Sequence, residues 1–254
     1  MKVPIITIAS ALVCLGFTSS LHADEASAKP LYEFLFEEGS LANSGSISGE
    51  AEEKTPPGGK PAFEILQDPG FGGWVLNQPA EKTLQQGPYL ILPESTDRLR
   101  LSDPAQTASI SLWIKWAGPL NHQDARQMLV NCLGAGYKSG WSLSITKQGA
   151  IRFDWTSEGD ASGHRITSDT IPPGEWHHIA FVWENRPTVY IDGMPTKFTM
   201  PFVDVPSLAA SDSPIVVGAD VLSYLPFRGS IAGIRIYEVP LSADDIFDFA
   251  QKKP

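Results

Sequence analysis

Paired carboxylates are the first class of candidate catalytic residues to consider in this sequence. Hydrolysis of a glycosidic bond needs two of them facing one bond, one as an acid and the other as a nucleophile or base. The sequence offers the adjacent pairs Glu37-Glu38, Glu52-Glu53 and Asp244-Asp245. Neighbouring side chains on a strand point to opposite faces, so these pairs do not form such a site. Carboxylates contributed by separate strands stay open as an alternative.

Histidine and thiol motifs favour structural roles. His177 and His178 are neighbours on a predicted strand, so they do not readily ligate one ion together. The sequence has no His-x-x-x-His or Cys-rich spacing typical of zinc sites and no Gly-x-Ser-x-Gly nucleophile elbow. Cys132 lies in an apolar run from Met128 to Leu133, which indicates a buried, inert thiol. We therefore predict that the protein is not an enzyme.

Aromatic residues are the best candidates for a ligand site, because an accessible ring offers a flat apolar face on which a sugar can stack. Trp116 and Trp183 alternate with apolar residues, and we expect them to be buried. The candidate binding residues stand on the polar face of a strand or beside loops that contain Gly or Pro. They are Trp113, Tyr137, Trp141 and Tyr224. For each of these rings, packing inside the protein is the alternative.

A signal peptide is predicted at residues 1–23. Met1-Lys2 is a positive start, residues 3–17 are almost wholly apolar, and small residues precede Asp24. The apolar run of about 15 residues is shorter than the roughly 20 needed to span a bilayer, which favours cleavage over a membrane anchor. We expect cleavage after Ala23, with Ala28 as the second site. The protein is then secreted or held in the periplasm or cell envelope.

Charge and cysteine content narrow the classes of partner and of fold. The net charge is −10 and no Lys/Arg cluster occurs, so nucleic acid and membrane surfaces are disfavoured as partners. Cys14 leaves with the signal peptide, so the mature chain forms no internal disulfide. We predict a flexible tail at 24–30 and one domain at 31–252, which is within the range of single-domain sandwiches and barrels.

Short runs that alternate apolar and polar residues dominate the chain from Leu31 onward. Ser109–Trp116 alternates strictly, whereas Trp176–Trp183 is apolar on both faces and indicates a central strand. Asp192-Gly193 between two such runs predicts a tight hairpin. Ser242 can cap a single short helix at the C-terminal end. These features predict an all-β fold, a two-sheet antiparallel β-sandwich or jelly roll with one terminal helix.

Several segments have an order and a spacing that are specific in combination. They are Ser109–Lys115, Gly140–Leu143, Pro173–Ala180, Val189–Gly193 and Phe227–Tyr237. Through them the chain resembles the LamG-like jelly-roll domains of the concanavalin A-like lectin/glucanase superfamily, of the bacterial exported type, over roughly 31–250. The resemblance implies two antiparallel sheets packed face to face.

The resemblance implies function less directly, because one fold hosts many functions. Related domains bind sugars or proteins, and distant ones cleave glycans. The Glu-x-Asp-x-x-Glu run of the retaining glucanases does not occur in this chain. We therefore predict a non-catalytic exported module that binds a glycan or polysaccharide. The alternatives are a cell-envelope adhesion or structural protein that binds another protein, and a polysaccharide-degrading enzyme with dispersed carboxylates.

Calcium is the ion that the resemblance implies. Acidic residues in predicted loops are the candidates, namely Asp124, Glu158, Asp160, Asp212 and Asp220. None belongs to an Asp-x-Asp-x-Asp-Gly loop. Solvated turn residues are the alternative, and we assign no metal ligands.

Overall fold

The computed structural model describes residues 28–56, 62–78, 85–103, 105–121, 126–157, 162–184, 186–200 and 208–253. The predicted signal peptide at 1–23 lies outside the described residues and stays a prediction. Within the described residues the strands are β1 (Tyr32–Phe34), β2 (Glu52–Lys54), β3 (Glu64–Asp68), β4 (Gly73–Gln78), β5 (Tyr89–Ile91), β6 (Ala108–Trp116), β7 (Gln127–Leu133), β8 (Gly140–Ile145), β9 (Ala150–Thr156), β10 (Ser162–Thr170), β11 (Trp176–Glu184), β12 (Arg186–Ile191), β13 (Met194–Pro195), β14 (Val216–Val217) and β15 (Gly229–Tyr237). The helix α1 spans Ala243–Gln251, and 3-10 turns occupy Glu37–Gly39 and Ala135–Tyr137. None of the described helices is long and apolar enough to cross a bilayer.

The strands form two antiparallel sheets, which confirms the predicted β-sandwich. The back sheet has the order β13-β12-β11-β6-β15-β4-β3, and β1 pairs with the far end of β15. The front sheet has the order β10-β9-β8-β7-β14-β5-β2. Seven of the thirteen pairings among the described strands join strands that are not consecutive in the chain, so the fold depends on long-range pairing.

The core lies between the inner faces of the two sheets. Ile110, Leu112, Ile114 and Trp116 all belong to it, as the alternation in β6 predicts. Phe153 of the front sheet stacks on Phe181 of the back sheet, with ring centroids 4.7 Å apart. The inward-facing half of each strand is therefore used for packing.

Helix α1 covers part of the outer face of the back sheet. Its Ile246 is fully buried in a second apolar cluster with Ala180 and Val182 of β11. This cover explains why β11 is apolar on both faces. The helix begins with a capping box, in which the backbone N–H of Asp245 donates to Ser242 Oγ at 3.1 Å.

The predicted hairpin at Asp192-Gly193 is confirmed. Both residues have positive φ, 51° and 81°, and Ile191 pairs directly with Met194 across the turn. Strands β2–β5, β7 and β10 were not predicted, because their sequences show no clear apolar alternation. Strand β10 is polar at most positions and lies at the edge of the front sheet, where apolar residues are not required on the outer face.

Both neighbouring histidines of β11 have structural partners, as expected. His177 Nδ1 lies 2.7 Å from Asp192 Oδ2. His178 is fully buried, and its Nε2 lies 2.8 Å from Ser111 Oγ. Burial lowers the pKa of His178 from its ordinary 6.5 to about 4. The buried imidazole is therefore neutral over the whole physiological pH range.

The depressed pKa of His178 predicts a loss of stability in acid. The unfolded chain binds a proton on this histidine near pH 6.5 and the folded chain near pH 4, so stability is complete above pH 6.5 and falls as the pH drops towards 4. The full loss is about 3 kcal/mol. We expect His178→Gln to flatten this part of the curve of unfolding free energy against pH. An unchanged slope in the variant would contradict the assignment.

Candidate functional site

Four polar residues form one row across the outer face of the front sheet. The register pairs Asn131 of β7 with Ser142 of β8, Ser142 with Asp154 of β9, and Asp154 with His164 of β10. Each strand contributes one member because alternate side chains point outward. Antiparallel pairing then places these side chains directly beside one another.

A pocket of about 240 Å³ opens over this row, and we call it the front pocket. Its described lining residues are Arg126, Met128, Leu133, Tyr137, Ser142, Arg152, Asp154, Trp155, Thr156, Ser162, Gly163 and His164. Gly163 is required at its position, since a Cβ there would lie 2.4 Å from Trp155 Cζ2. The absence of a side chain lets the indole of Trp155 pass beneath β10.

Asp154 organises the charged part of the front pocket. Both its carboxylate oxygens accept from Arg152 Nε at 2.9 Å, and Oδ1 also accepts from Arg126 Nη1 at 3.3 Å. All three side chains are largely shielded from solvent, with exposed fractions of 17–22%. One carboxylate therefore fixes two guanidinium groups against the same wall.

Ser142 supplies a hydroxyl that has unused hydrogen-bonding capacity. Its side chain is 1% exposed, it lines the front pocket, and its Oγ has no hydrogen-bond partner among the described residues. The neighbouring Asn131 donates from Nδ2 to the Ala219 carbonyl at 2.9 Å, while its Oδ1 is likewise unpartnered there. A buried polar group without a partner costs free energy, so such a group calls for an external partner.

His164 completes the row with a neutral imidazole. Burial, followed by the nearby Arg152 guanidinium, lowers the pKa of His164 below its ordinary value. A neutral imidazole has one donor nitrogen and one acceptor nitrogen. The front pocket therefore offers acceptors as well as the donors of its arginines.

Tyr137 forms one wall of the front pocket and is held at two points. Its hydroxyl donates to Asp220 Oδ2, and its carbonyl accepts from Thr156 Oγ1 at 2.9 Å. The ring remains 44% exposed. It is thus an accessible aromatic face in a fixed position.

A second, smaller pocket shares Leu133 and Tyr137 with the front pocket, and we call it the side pocket. Its volume is about 170 Å³, and its described lining residues are Leu133, Gly134, Ala135, Gly136, Tyr137, Ser213, Asp220, Val221 and Leu222. Asp220 is 1% exposed and its Oδ1 accepts the backbone N–H groups of Leu222 and Tyr224, both at 2.8 Å. This carboxylate shapes the loop that presents Leu222 and Tyr224 to solvent.

Comparison with known proteins agrees with this fold. A family model of the concanavalin A-like lectin/glucanases superfamily matches residues 85–247, which is more than half of the chain. The chain belongs to this superfamily. A search of curated protein sequences found no significant match.

Several solved structures resemble the fold of this chain at low sequence identity. Domain 4 of AbnA, a GH43 extracellular arabinanase from Geobacillus stearothermophilus in complex with arabinotriose, matches with 21% identity and a TM-score of 0.62, over 89% of this chain and all of that one. The botulinum neurotoxin serotype G binding domain matches with 13% identity and a TM-score of 0.63, over 87% of this chain and 50% of that one. The serotype D ligand-binding domain in complex with N-acetylneuraminic acid matches with 15% identity and a TM-score of 0.60, over 88% of this chain and 50% of that one. This chain therefore spans about half of the toxin chains, and the likeness establishes the fold.

Two of the four aromatic rings predicted to bind ligand are not accessible in this member of the superfamily. Trp141 is fully buried, stacks near Phe181 and donates from Nε1 to the Leu99 carbonyl at 2.6 Å. Trp113 is 6% exposed, and its ring contacts Phe71 while Lys253 Nζ lies 5.7 Å above it. The expectation that these two rings are platforms is corrected, because tertiary packing covers them. Trp116 and Trp183 are buried, as predicted.

The other two predicted aromatic residues both hydrogen-bond to the carboxylate of Asp220. Tyr137 bonds to Asp220 through its hydroxyl, and Tyr224 does so through its backbone N–H. Both rings are exposed, at 44% and 47%. Their part in binding stays a prediction, whereas their exposure and their shared contact with Asp220 are established.

The residues at the centre of the site were missed by sequence reasoning. Neither Ser142 nor Asp154 was predicted as a site residue. A usable signal was present, because Arg152 and Asp154 place opposite charges on one face of β9, two positions apart. Charged residues on the outer face of a strand that is otherwise apolar indicate either solvent exposure or a site.

The calcium candidates do not come together in the described part of the chain. No group of three or more His, Cys, Asp or Glu side chains there is placed to hold a metal ion. Asp212 pairs with Arg100 at 2.9 Å, and Asp220 is occupied by the contacts described above. Asp124, Glu158 and Asp160 lie outside the described residues. Cys132 is buried, and burial raises the pKa of its thiol to about 11, which confirms an inert cysteine.

Proposed function

We propose that this chain is a non-catalytic, exported binding module that holds a glycan in the front pocket. The observation that carries the proposal is the Ser142 hydroxyl, which is buried, belongs to a residue that lines the pocket, and lacks a partner among the described residues. A hydroxyl-rich ligand that reaches such a group supplies the missing hydrogen bond. The binding free energy then includes relief of a cost that the empty pocket bears.

The rest of the front pocket suits a sugar ring. Arg126 and Arg152 supply N–H donors, and the neutral His164 can donate or accept. The exposed ring of Tyr137 offers an apolar face. A few placed polar groups beside an aromatic wall are the usual make-up of a small-ligand site.

The arrangement of carboxylates supports binding rather than hydrolysis. Asp154 is the sole carboxylate among the described residues that line the front pocket. Its oxygens are engaged by Arg152 and Arg126. Glycoside hydrolysis needs a second carboxyl group some 5–9 Å away, one of the two able to deliver a proton.

The fold neighbours support a glycan as the ligand class. One of them was solved with arabinotriose and another with N-acetylneuraminic acid. Export, which follows from the predicted signal peptide, would place the module where polysaccharides are met.

A glycan array with the purified chain, run with and without calcium, tests the proposal. We expect binding to at least one polysaccharide class, and silence in both conditions would refute it. A pull-down from envelope extract separates the adhesion alternative, which requires a protein partner and no glycan. Release of reducing ends or unsaturated products from the bound glycan would overturn the non-catalytic part.

Substitution of Ser142 by alanine is expected to separate binding from stability. The variant should bind the array glycan about tenfold more weakly, a loss of roughly 1.4 kcal/mol. Its unfolding free energy should stay equal or rise, because a buried unpartnered hydroxyl is removed. Isothermal titration and urea denaturation measure the two effects.

Ser144→Ala is the matched control. Ser144 lies two positions along β8 on the same face, outside the residues that line the front pocket, and its Oγ lies 3.4 Å from the Arg152 carbonyl. It should leave affinity unchanged. Equal losses of glycan affinity in both serine variants would show that Ser142 is not part of the binding site.

A further inference from the structure

The front pocket and the side pocket are adjacent parts of one surface. Leu133 and Tyr137 line both of them. Tyr137 is fixed between the two by Asp220 on one side and Thr156 on the other. A ligand that fills one pocket therefore contacts the wall of the other.

The two pockets differ in chemistry. The front pocket presents guanidinium, hydroxyl and imidazole groups, whereas the side pocket presents mainly Gly134, Ala135, Gly136 and the side chain of Leu222. The one carboxylate among the described lining residues of the side pocket, Asp220, already accepts from two backbone N–H groups and the Tyr137 hydroxyl. The side pocket thus offers contact area more than hydrogen bonds.

The sizes of the pockets also indicate a shared ligand. Small-molecule sites commonly measure roughly 300–1,000 Å³. The front pocket, at about 240 Å³, and the side pocket, at about 170 Å³, are each below that range. Taken together they fall within it.

We propose that the two pockets form one elongated cleft that binds a glycan through consecutive sugar units rather than through a single terminal unit. One unit is hydrogen-bonded over the row of Ser142, Asp154 and His164. The next unit crosses Tyr137 and lies against Leu222. This inference rests on the proposed function, since it specifies the ligand of the same site.

The loop that borders the side pocket is built to hold its shape. Ser223 and Leu225 adopt positive φ, 69° and 54°, which residues other than glycine rarely do. The buried Asp220 carboxylate holds this strained loop through the N–H groups of Leu222 and Tyr224. Leu222 is left 60% exposed in a preformed position, and preorganised contacts lose little entropy on binding.

A chain-length series tests the cleft. Oligosaccharides of one to six units, prepared from the glycan that binds most strongly on the array, are titrated into the purified full chain. We expect affinity to rise by about tenfold or more between one unit and three, then to level off. A monosaccharide that binds as tightly as the hexasaccharide would overturn the inference while leaving the proposed function intact. An absence of binding at every length would contradict both the inference and the proposed function.

Variants assign the two pockets separately. Leu222→Ala should reduce the affinity for three units several-fold and leave that for one unit unchanged, whereas Ser142→Ala should weaken every length. Met194→Ala is the matched control, because Met194 is 62% exposed and Leu222 60%, but Met194 lies in β13 of the back sheet. A Leu222→Ala variant that binds all lengths like the parent chain would overturn the inference.

Discussion

Replacing Asp154 with alanine is expected to weaken glycan binding by about 100-fold or more, the largest effect of any single change in the front pocket. Asp154 holds Arg152 through both carboxylate oxygens and Arg126 through one of them. Without it, two shielded guanidinium groups repel each other and leave their positions over the sheet. Both donors are then lost to the ligand at once. Titration with the array glycan measures the effect.

Two control variants separate this effect from a general loss of charge. Asp154→Asn keeps an acceptor oxygen and should retain more affinity than Asp154→Ala. Asp248→Ala removes an exposed carboxylate of helix α1 that pairs with Lys252, just past the end of the helix, at 3.1 Å, and such pairs contribute about 0–1 kcal/mol. It should leave binding unchanged. If Asp154→Ala binds glycan like the parent chain, the front pocket is not the site.

Replacing Trp141 with alanine is expected to lower the free energy of unfolding by about 3–5 kcal/mol. The indole is fully buried between the sheets, with Phe181 at 6.5 Å and a hydrogen bond from Nε1 to the Leu99 carbonyl. Its removal leaves a cavity in the core and an unpaired carbonyl. Urea denaturation of the two chains gives the difference directly.

Tyr224→Ala is the contrasting variant. Its ring is 47% exposed, so truncation should change the free energy of unfolding by less than about 0.5 kcal/mol. A Trp141→Ala chain that is as stable as the parent and fails to bind glycan would restore Trp141 as a ligand platform. We expect the reverse pattern, in which Trp141→Ala lowers the free energy of unfolding and the chain that remains folded still binds glycan.

Local sequence patterns determined the elements that the chain forms most strongly. Strict alternation in Ser109–Trp116 predicted β6 and the face it buries. Asp192-Gly193 predicted the tight hairpin, and Ser242 predicted the start of α1. Each of these depends on interactions within a few residues, such as turn dihedrals, a cap or the period of a strand, and a sequence displays them directly.

The candidate site depends on pairing that only the tertiary structure decides. Alternation tells which residues of β8 and β9 face outward, but not which strand lies beside which or in what register. One register brings Ser142, Asp154 and His164 into a row, and a shift by one residue would turn each strand's set to the opposite face. The sequence therefore shows which residues face outward, but not how the residues of the candidate site are arranged beside one another.

Accessibility of the aromatic rings was likewise a tertiary property. The sequence correctly predicted an all-β sandwich, and it identified four rings as candidates. It could not distinguish Trp141, which the opposing sheet covers, from Tyr137, which Asp220 holds at the surface from 83 residues away. Burial is set by what packs against a residue from elsewhere in the chain, and long-range packing is the part of this fold that local patterns do not encode.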